Sequence, residues 1–298
     1  MIWKRRKPAP KTDKVLWMVE TGIDEEAEGR LLASLEVRDD ASVYSHDSLP
    51  FIDEDGSGLR GWEPEGPVVY HGSFQGARWV QQNTDWTPGV LANHPAFRCH
   101  YYYPFFHEYL LNQRHVMLPF GTFLQRKDDL FEWVGKGGRI FVRPDSNEKP
   151  FAGQIVTRET WDEDIKLINF YRLPISELVV VAPPREIRRE WRFVIQGRDV
   201  LTGSIYRSGQ QAGHCGPVTL DTAPWPWEFA QEIANRAVDR GWEPDPVWVL
   251  DVCMDSADRL RLLEVGSFAC SEFYACDTDR IVGTVTQVAK AAWERRNR

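Results

Sequence analysis

Apolar residues along the chain alternate between short β-prone runs and segments with helical spacing. Residues 15–20 have the pattern of a buried strand, residues 25–35 have helical spacing, and residues 67–72 form a second apolar run that ends at a Gly-Ser turn. Residues 48–67 are rich in Asp, Gly, Glu and Pro, which predicts a loop. Strand, helix and strand in this order predict a small parallel sheet at the N-terminus.

A second unit begins near Met117. Its pattern predicts helices over 123–134 and 226–240, and a loop over 208–216. Strands are predicted over 139–143, 154–156, 178–182, 190–195 and 200–207. Between these units, the aromatic-rich stretch 95–115 is expected to pack the first domain onto the second unit.

The predicted strand 190–195 has two different faces. Glu190, Arg192 and Val194 share one face because side chains alternate along a strand, and the other face is entirely apolar. A strand of this kind lines either solvent or a polar cleft, and the strand alone leaves both interpretations open.

Residues 247–253 and 260–267 predict a β-hairpin with its turn near Ala257 and Asp258. In that register, Asp251 lies almost opposite Glu264. Like charges opposite each other destabilise a sheet, and a divalent cation such as Mg²⁺ removes that penalty. The alternative is an exposed hairpin face that carries two ordinary acids.

The loop that follows strand 139–143 has the composition of a phosphate-binding segment. Arg143 ends the strand, and Lys149 lies within a polar loop that Gly153 closes. Two cations around a flexible loop suit a phosphate ligand. A solvated surface hairpin is the alternative.

Composition narrows the classes of protein that need to be considered. The chain has 298 residues, 42% hydrophobic and 27% charged, which is typical of a globular protein with ample core. A formal charge of -8 argues against a dedicated nucleic-acid binder. No apolar run is long enough to span a membrane, and the basic start lacks the apolar segment of a signal peptide, so we expect a cytoplasmic protein. The five cysteines include no CxxC pair, which favours reduced structural thiols.

From about residue 110 onward, the order of these features resembles the ATP-grasp superfamily. The matching segments are 141–153, 190–195, 203–206 and the Asp251…Glu264 hairpin followed by Phe273 and Tyr274. This set is similar to a bacterial and phage clade of predicted peptide, or carboxylate–amine, ligases. The resemblance implies a mixed α/β and α+β protein, in which two α+β subdomains clamp ATP after an N-terminal α/β domain. The implied domains are residues 1–112, 113–182 and 183–298.

The resemblance also implies roles for individual residues. It implies that nucleotide contacts come from Arg143 and Lys149 at the phosphates, from the backbone of Val180, Val181 and Ala182 at the adenine, and from Glu190 at the ribose. Arg192 and Arg207 are the implied catalytic residues that stabilise the transferred phosphate and the charged oxygens. Asp251 and Glu264 are the implied Mg²⁺ ligands.

One position departs from the family pattern. The last metal-binding motif of the family is usually Glu-x-Asn, whereas this chain has Glu264-Val-Gly266. Glycine has no side-chain oxygen, so Ser267, a water molecule or a ligand from elsewhere has to replace the asparagine.

The expected function is therefore an ATP-dependent carboxylate–amine ligase that forms an acyl phosphate with ATP and Mg²⁺. Its expected partners are ATP and substrates bearing a carboxylate and an amine, without a membrane or nucleic acid. One alternative is a nucleotide-binding protein that has lost catalysis through Gly266. A second is an enzyme acting on nucleic-acid ends. Segments 135–153 and 208–216 are candidate lids, and His71 is either structural or a substrate contact.

Overall fold

The computed structural model describes residues 14–47, 64–208 and 211–298. Its N-terminal sheet is parallel and has the strand order β2-β1-β3-β4. The strands are β1 (Val15–Thr21), β2 (Ala41–Asp47), β3 (Val68–His71) and β4 (Pro88–Gly89). This confirms the predicted parallel sheet, although the sequence pattern did not predict β2. Most of the predicted loop 48–67 lies outside the described residues.

Two antiparallel sheets follow. The small sheet has the order β5-β8-β6-β7 and contains β5 (Val116–Pro119), β6 (Arg139–Pro144), β7 (Gln154–Thr157) and β8 (Leu178–Ala182). The large sheet has the order β11-β10-β9-β12-β13 and contains β9 (Ile187–Gln196), β10 (Asp199–Ser208), β11 (Gln211–Val218), β12 (Val247–Asp255) and β13 (Leu260–Ser267).

Helices cover these sheets. They are α1 (Glu25–Glu36), α2 (Phe74–Asn83), α3 (Cys99–Phe106), α4 (Phe120–Gln125), α5 (Lys127–Trp133), α6 (Trp161–Ile168), α7 (Pro224–Asp239) and α8 (Thr278–Arg296). Helix α1 begins at Asp24, whose carboxylate accepts hydrogen bonds from the Glu26 and Ala27 amides. None of the described helices is long and apolar enough to cross a membrane.

The large sheet is buried on both faces along part of its length. Trp191, Phe193 and Ile195 pack into a core with α3 and α7, as the apolar face of strand 190–195 predicts. On the opposite face, Val194 joins a core formed with β1, α1 and α8. Glu190 and Arg192 share the face of Val194 but lie beyond this core. The hydrophobic packing therefore fixes the orientation of the polar side chains.

Two predicted elements differ from the structure. The predicted helix 123–134 is two helices, because Arg126 has non-helical dihedrals of φ -104° and ψ 28°. This break allows Phe123 and Leu130 to enter one core. The predicted loop 208–216 is largely strand β11, which pairs with β10 alone at the sheet edge. Because an edge strand is held by backbone hydrogen bonds, it does not need an alternating apolar pattern.

Candidate active site

Three charged residues form one row across neighbouring strands of the large sheet. Asp251 on β12 lies directly opposite Glu264 on β13 and, on its other side, directly opposite Arg192 on β9. The predicted opposition of the two carboxylates is confirmed. The hairpin turn that sets this register is held by Asp255, which accepts hydrogen bonds from the Ala257 and Arg259 amides.

Asp251 and Arg192 form a buried bidentate ion pair. The Arg192 Nε and Nη2 atoms each donate to a separate Asp251 carboxylate oxygen at 2.8 Å. Their side chains are only 11% and 7% exposed. Arg192 also donates through Nη1 to the Glu272 carbonyl at 2.8 Å, and its guanidinium carbon lies 5.0 Å from the centre of the Tyr274 ring. These contacts hold the guanidinium in one orientation.

Glu264 is held by two cations from the small sheet and its following loop. Arg143 donates through Nη2 to Oε1 at 2.9 Å, and the Lys149 Nζ lies 3.3 Å from Oε2. Burial favours a raised pKa for Glu264, but the charges of Arg143, Lys149 and Arg192 outweigh burial and hold its pKa below the usual range. The carboxylate therefore stays ionised and links the small sheet to the large sheet.

A cavity of about 70 Å³ connects these charged groups. Lys149, Arg192, Asp251 and Glu264 line it, and Arg143 touches it through Glu264. The other lining residues are Phe74, Asn147, Val249, Gly266, Ser267, Cys270 and Ser271. We call this space the charged cavity. Three cationic and two anionic side chains meet there, a charge pattern suited to a metal–phosphate ligand.

Lys149 has a backbone conformation that is uncommon for its residue type. Its φ of +50° lies in the left-handed region, which is normally populated by glycine, asparagine or aspartate. Strained backbone is frequently found at ligand-binding segments. The conformation places the ammonium group against Glu264 while about half of the side chain remains exposed.

Two further side chains in the charged cavity carry oxygens without hydrogen-bond partners. Both polar atoms of the Asn147 side chain and the Ser267 hydroxyl are buried and unpaired within the part of the chain that the structure describes. Unsatisfied buried polar atoms are costly, so they point to a missing ligand. Together with Asp251 and Glu264 they supply the oxygen donors that Mg²⁺ prefers, so this donor set fits the metal. No group of three or more His, Cys, Asp or Glu side chains in the described ranges is arranged to hold a metal.

Glu190 and Arg207 lie beside the charged cavity rather than in its lining. They pair directly between β9 and β10, and the Arg207 Nη1 atom lies 2.5 Å from Glu190 Oε1. The Tyr206 hydroxyl donates to Glu190 Oε2 at 2.9 Å. The Tyr206 ring also stacks on Tyr274 at 4.7 Å between ring centres, which connects Glu190 to the aromatic surroundings of Arg192.

Val180, Val181 and Ala182 are buried in β8. This strand lies between β5 and β6, and the backbones of Val180 and Val181 pair with both neighbours. Ala182 pairs with Phe141 on β6 alone, so its other edge and the segment 183–186 offer backbone groups for a ligand. A backbone contact to adenine at Val180 or Val181 stays a prediction.

A model of the ATP-grasp domain, built for family 2 of one clade of that superfamily, matches residues 126–283, more than half of the chain. The chain belongs to this ATP-grasp family. The predicted resemblance and the predicted ATP-grasp fold are thereby confirmed. A search of curated proteins found no sequence match.

Solved ATP-grasp structures share the fold across nearly the whole chain. D-alanyl-alanine synthetase A from Vibrio cholerae O1 biovar eltor aligns with a TM-score of 0.58 at 14% identity, covering 94% of this chain and 100% of that one. D-alanine–D-alanine ligase from Bacillus anthracis, solved with ATP, gives 0.58 at 9% identity, covering 96% and 100%. The ATP-grasp ligase PsnB, complexed with a minimal precursor, gives 0.55 at 13% identity, covering 94% and 100%.

Sequence reasoning missed several residues of the site. Asn147 lies inside the segment 141–153 that carries the family resemblance, but its burial depends on how the loop folds against the large sheet. Tyr206 and Tyr274 come together from separate segments to flank Arg192. The sequence contains no local signal for that pairing.

Proposed function

We propose that this ATP-grasp protein is an ATP- and Mg²⁺-dependent ligase that joins a carboxylate to an amine through an acyl phosphate. The observation that supports it best is the convergence of Arg143, Lys149, Arg192, Asp251 and Glu264 at one buried cavity between two sheets. Structures with the same fold include enzymes named D-alanine–D-alanine ligase and D-cycloserine synthetase. Both names describe ligation or synthesis of small amino compounds.

Asp251 and Glu264 are the proposed Mg²⁺ ligands, with Asn147 and Ser267 as nearby oxygen donors in place of the missing Asn at Gly266. When bound, Mg²⁺ would spread the negative charge of the nucleotide phosphates. Arg143 and Lys149 already contact Glu264, so they lie beside any phosphate that binds there. Phosphate oxygens can then share the hydrogen bonds that these cations now donate to the carboxylate.

Arg192 is proposed to orient Asp251 and to stabilise the charge of the transferred phosphate. The Asp251 contact and the flanking Tyr206 and Tyr274 rings hold its guanidinium in place before substrate arrives. Donors that are already oriented need little reorganisation during the reaction. Glu190 is proposed to bind the ribose hydroxyls, and Arg207 holds that carboxylate.

The proposed chemistry has two steps. A substrate carboxylate oxygen attacks the γ-phosphorus of ATP, which forms an acyl phosphate and releases ADP. The amine nitrogen then bonds to the acyl carbon, inorganic phosphate leaves with the electrons of the C–O bond, and the nitrogen gives up a proton. No protein nucleophile is needed, and burial of the charged cavity protects the acyl phosphate from water.

A direct test combines nucleotide binding with trapping of the acyl phosphate. Thermal shift is measured with ATP, with and without Mg²⁺, and ADP release is then followed with a panel of carboxylic acids and hydroxylamine as the amine. The proposal predicts a Mg²⁺-dependent shift and formation of a hydroxamate from at least one acid. ATP binding without ADP release from any acid would overturn the ligase assignment.

Gly266 supports one second candidate, a nucleotide-binding protein without catalysis. At this position the usual Asn is absent, so one metal ligand has to come from elsewhere. Nucleotide binding with no hydroxamate in the same experiment would support that candidate. An enzyme acting on nucleic-acid ends has less support, because the Arg192 side chain is only 11% exposed and is paired with Asp251.

A further inference from the structure

A second cavity, of about 100 Å³, lies between the N-terminal sheet and the segment that follows β13. It is lined by Glu20, Ile23, Asp24, Ala27, Glu28, Leu31, His71, Gly72, Cys270, Ser271, Glu272 and Phe273. We call it the acidic cavity. Cys270 and Ser271 also line the charged cavity, so one short segment separates the two spaces.

The topology of the N-terminal sheet favours ligand binding at this position. From β1 the chain moves outward to β2, and β3 then returns to the opposite side of β1. Ligands of open parallel sheets bind beyond the carboxyl ends of the strands where the order reverses in this way. Glu20 lies near the carboxyl end of β1, and His71 ends β3. The acidic cavity therefore lies at the reversal point.

The acidic cavity has a strongly negative lining. It contains four carboxylates and, among the lining residues that the structure describes, no lysine or arginine. Burial lowers the pKa of His71 to about 4, so this imidazole is uncharged at neutral pH. Two of the carboxylates are used locally, since Asp24 caps helix α1 and Glu28 accepts hydrogen bonds from three backbone amides.

Glu20 and Glu272 are the carboxylates left for a ligand. Glu20 is 2% exposed, and its Oε2 accepts hydrogen bonds from the Ser73 amide at 2.8 Å and from the Tyr70 hydroxyl. Its Oε1 is buried with no hydrogen-bond partner in the described ranges. Partial burial raises the pKa of Glu272, and the nearby negative charge of Asp24 raises it further. A bound cation would relieve both the unsatisfied oxygen and this repulsion.

We infer that the acidic cavity binds the protonated amino group of a small primary amine, the acceptor substrate of the proposed ligase. An ammonium group supplies three donors and one positive charge, which matches the free oxygen of Glu20 and the carboxylate of Glu272. The cavity is smaller than the roughly 300–1,000 Å³ of sites for drug-sized ligands, so it suits a compact amino compound. The identification of this amine as a substrate rests on the proposed function, whereas its binding does not.

Binding of small amines tests the inference without requiring turnover. The probes are methylammonium, ethanolamine, glycine amide and alanine at up to about 20 mM, with acetate and acetamide as anionic and neutral comparisons. Saturation-transfer NMR or calorimetry on the full chain, without nucleotide, should detect at least one ammonium probe. Glu20→Gln should weaken that binding at least tenfold, while it retains an oxygen for Tyr70 and Ser73 and leaves the ATP-induced thermal shift unchanged.

Matched variants separate a specific site from a general effect of charge. Glu36→Gln removes one exposed carboxylate at the end of α1 and should leave amine binding unchanged. Glu272→Gln should reproduce the loss if Glu20→Gln fails to fold. Equal binding of acetate, undiminished binding in both cavity variants, or no amine binding by a protein that still binds ATP would overturn the inference. Amine binding without ADP release would sustain it and refute the ligase proposal instead.

Discussion

Asp251 and Glu264 lie directly opposite each other on β12 and β13, yet each is neutralised by an arginine of its own. Arg192 approaches Asp251 within the large sheet, and Arg143 approaches Glu264 from the small sheet. The repulsion between two opposed carboxylates is thus balanced without a metal. A metal–nucleotide ligand that enters between them has to share these arginines, which couples nucleotide binding to the contact between the two sheets.

Removal of either carboxylate charge should therefore affect both stability and nucleotide binding. Glu264→Gln and Asp251→Asn each leave a buried arginine without its anion, and breaking such a pair costs on the order of 3 kcal/mol. We expect a lower melting temperature without ligand, loss of the Mg²⁺-dependent part of the ATP-induced shift, and no ADP release. Thermal melts with and without Mg²⁺ measure these effects, with exposed Glu243→Gln as control. Wild-type ADP release in either variant would contradict the metal assignment.

Lys149→Ala should weaken ATP binding about tenfold, because a charged hydrogen bond to phosphate contributes on the order of 1.5 kcal/mol. The folded state should lose little stability, since the Lys149 side chain is 51% exposed. Titration calorimetry of ATP with Mg²⁺ measures the affinity. Lys136→Ala, at an exposed position before β6, is the control that should bind normally. Equal affinities of the two variants would remove Lys149 from the phosphate site.

Asn147→Ala should separate metal binding from stability. The Asn147 side chain is buried without hydrogen-bond partners in the described part of the chain, so its removal should not destabilise the metal-free protein. The Mg²⁺ concentration that gives half of the ATP-induced thermal shift should rise severalfold. Asn169→Ala, on the surface after α6, should change neither quantity. A large loss of metal-free stability with an unchanged Mg²⁺ requirement would indicate a purely structural Asn147.

Gly266→Asn should increase the affinity for Mg²⁺. A Cβ atom at residue 266 would meet only Ser271 Oγ, at an ordinary contact distance of 3.6 Å, so crowding at the backbone does not impose glycine there. An asparagine would add an amide oxygen beside Glu264. We expect the Mg²⁺ titration midpoint to fall, with Gly266→Ala as the control that adds volume without an oxygen. The same midpoint in both variants would argue against a ligand position at residue 266.

Local sequence patterns predicted the elements that carry the site, because apolar runs and hairpin spacing fix strands and register over short distances. Asp251 and Glu264 were placed opposite each other in this way. The arginine partners of these carboxylates were not predicted, because Arg143 approaches from another sheet and Arg192 from a strand far away in sequence. The acidic cavity was missed for the same reason. It combines β1, α1, β3 and a segment about 200 residues later.

Asp245→Asn should stabilise the protein in a pH-dependent manner. Burial raises the pKa of Asp245 to about 7, although its carboxylate accepts a hydrogen bond from the Asn93 amide at 2.8 Å. The folded state therefore holds a proton that the unfolded chain loses above its ordinary pKa of about 3.8, so stability falls as pH rises from there to about 7. The variant has no such loss. Its gain in melting temperature should be small at pH 4 and largest above pH 7, whereas exposed Asp199→Asn should show no such trend. A gain independent of pH would contradict a raised pKa at Asp245.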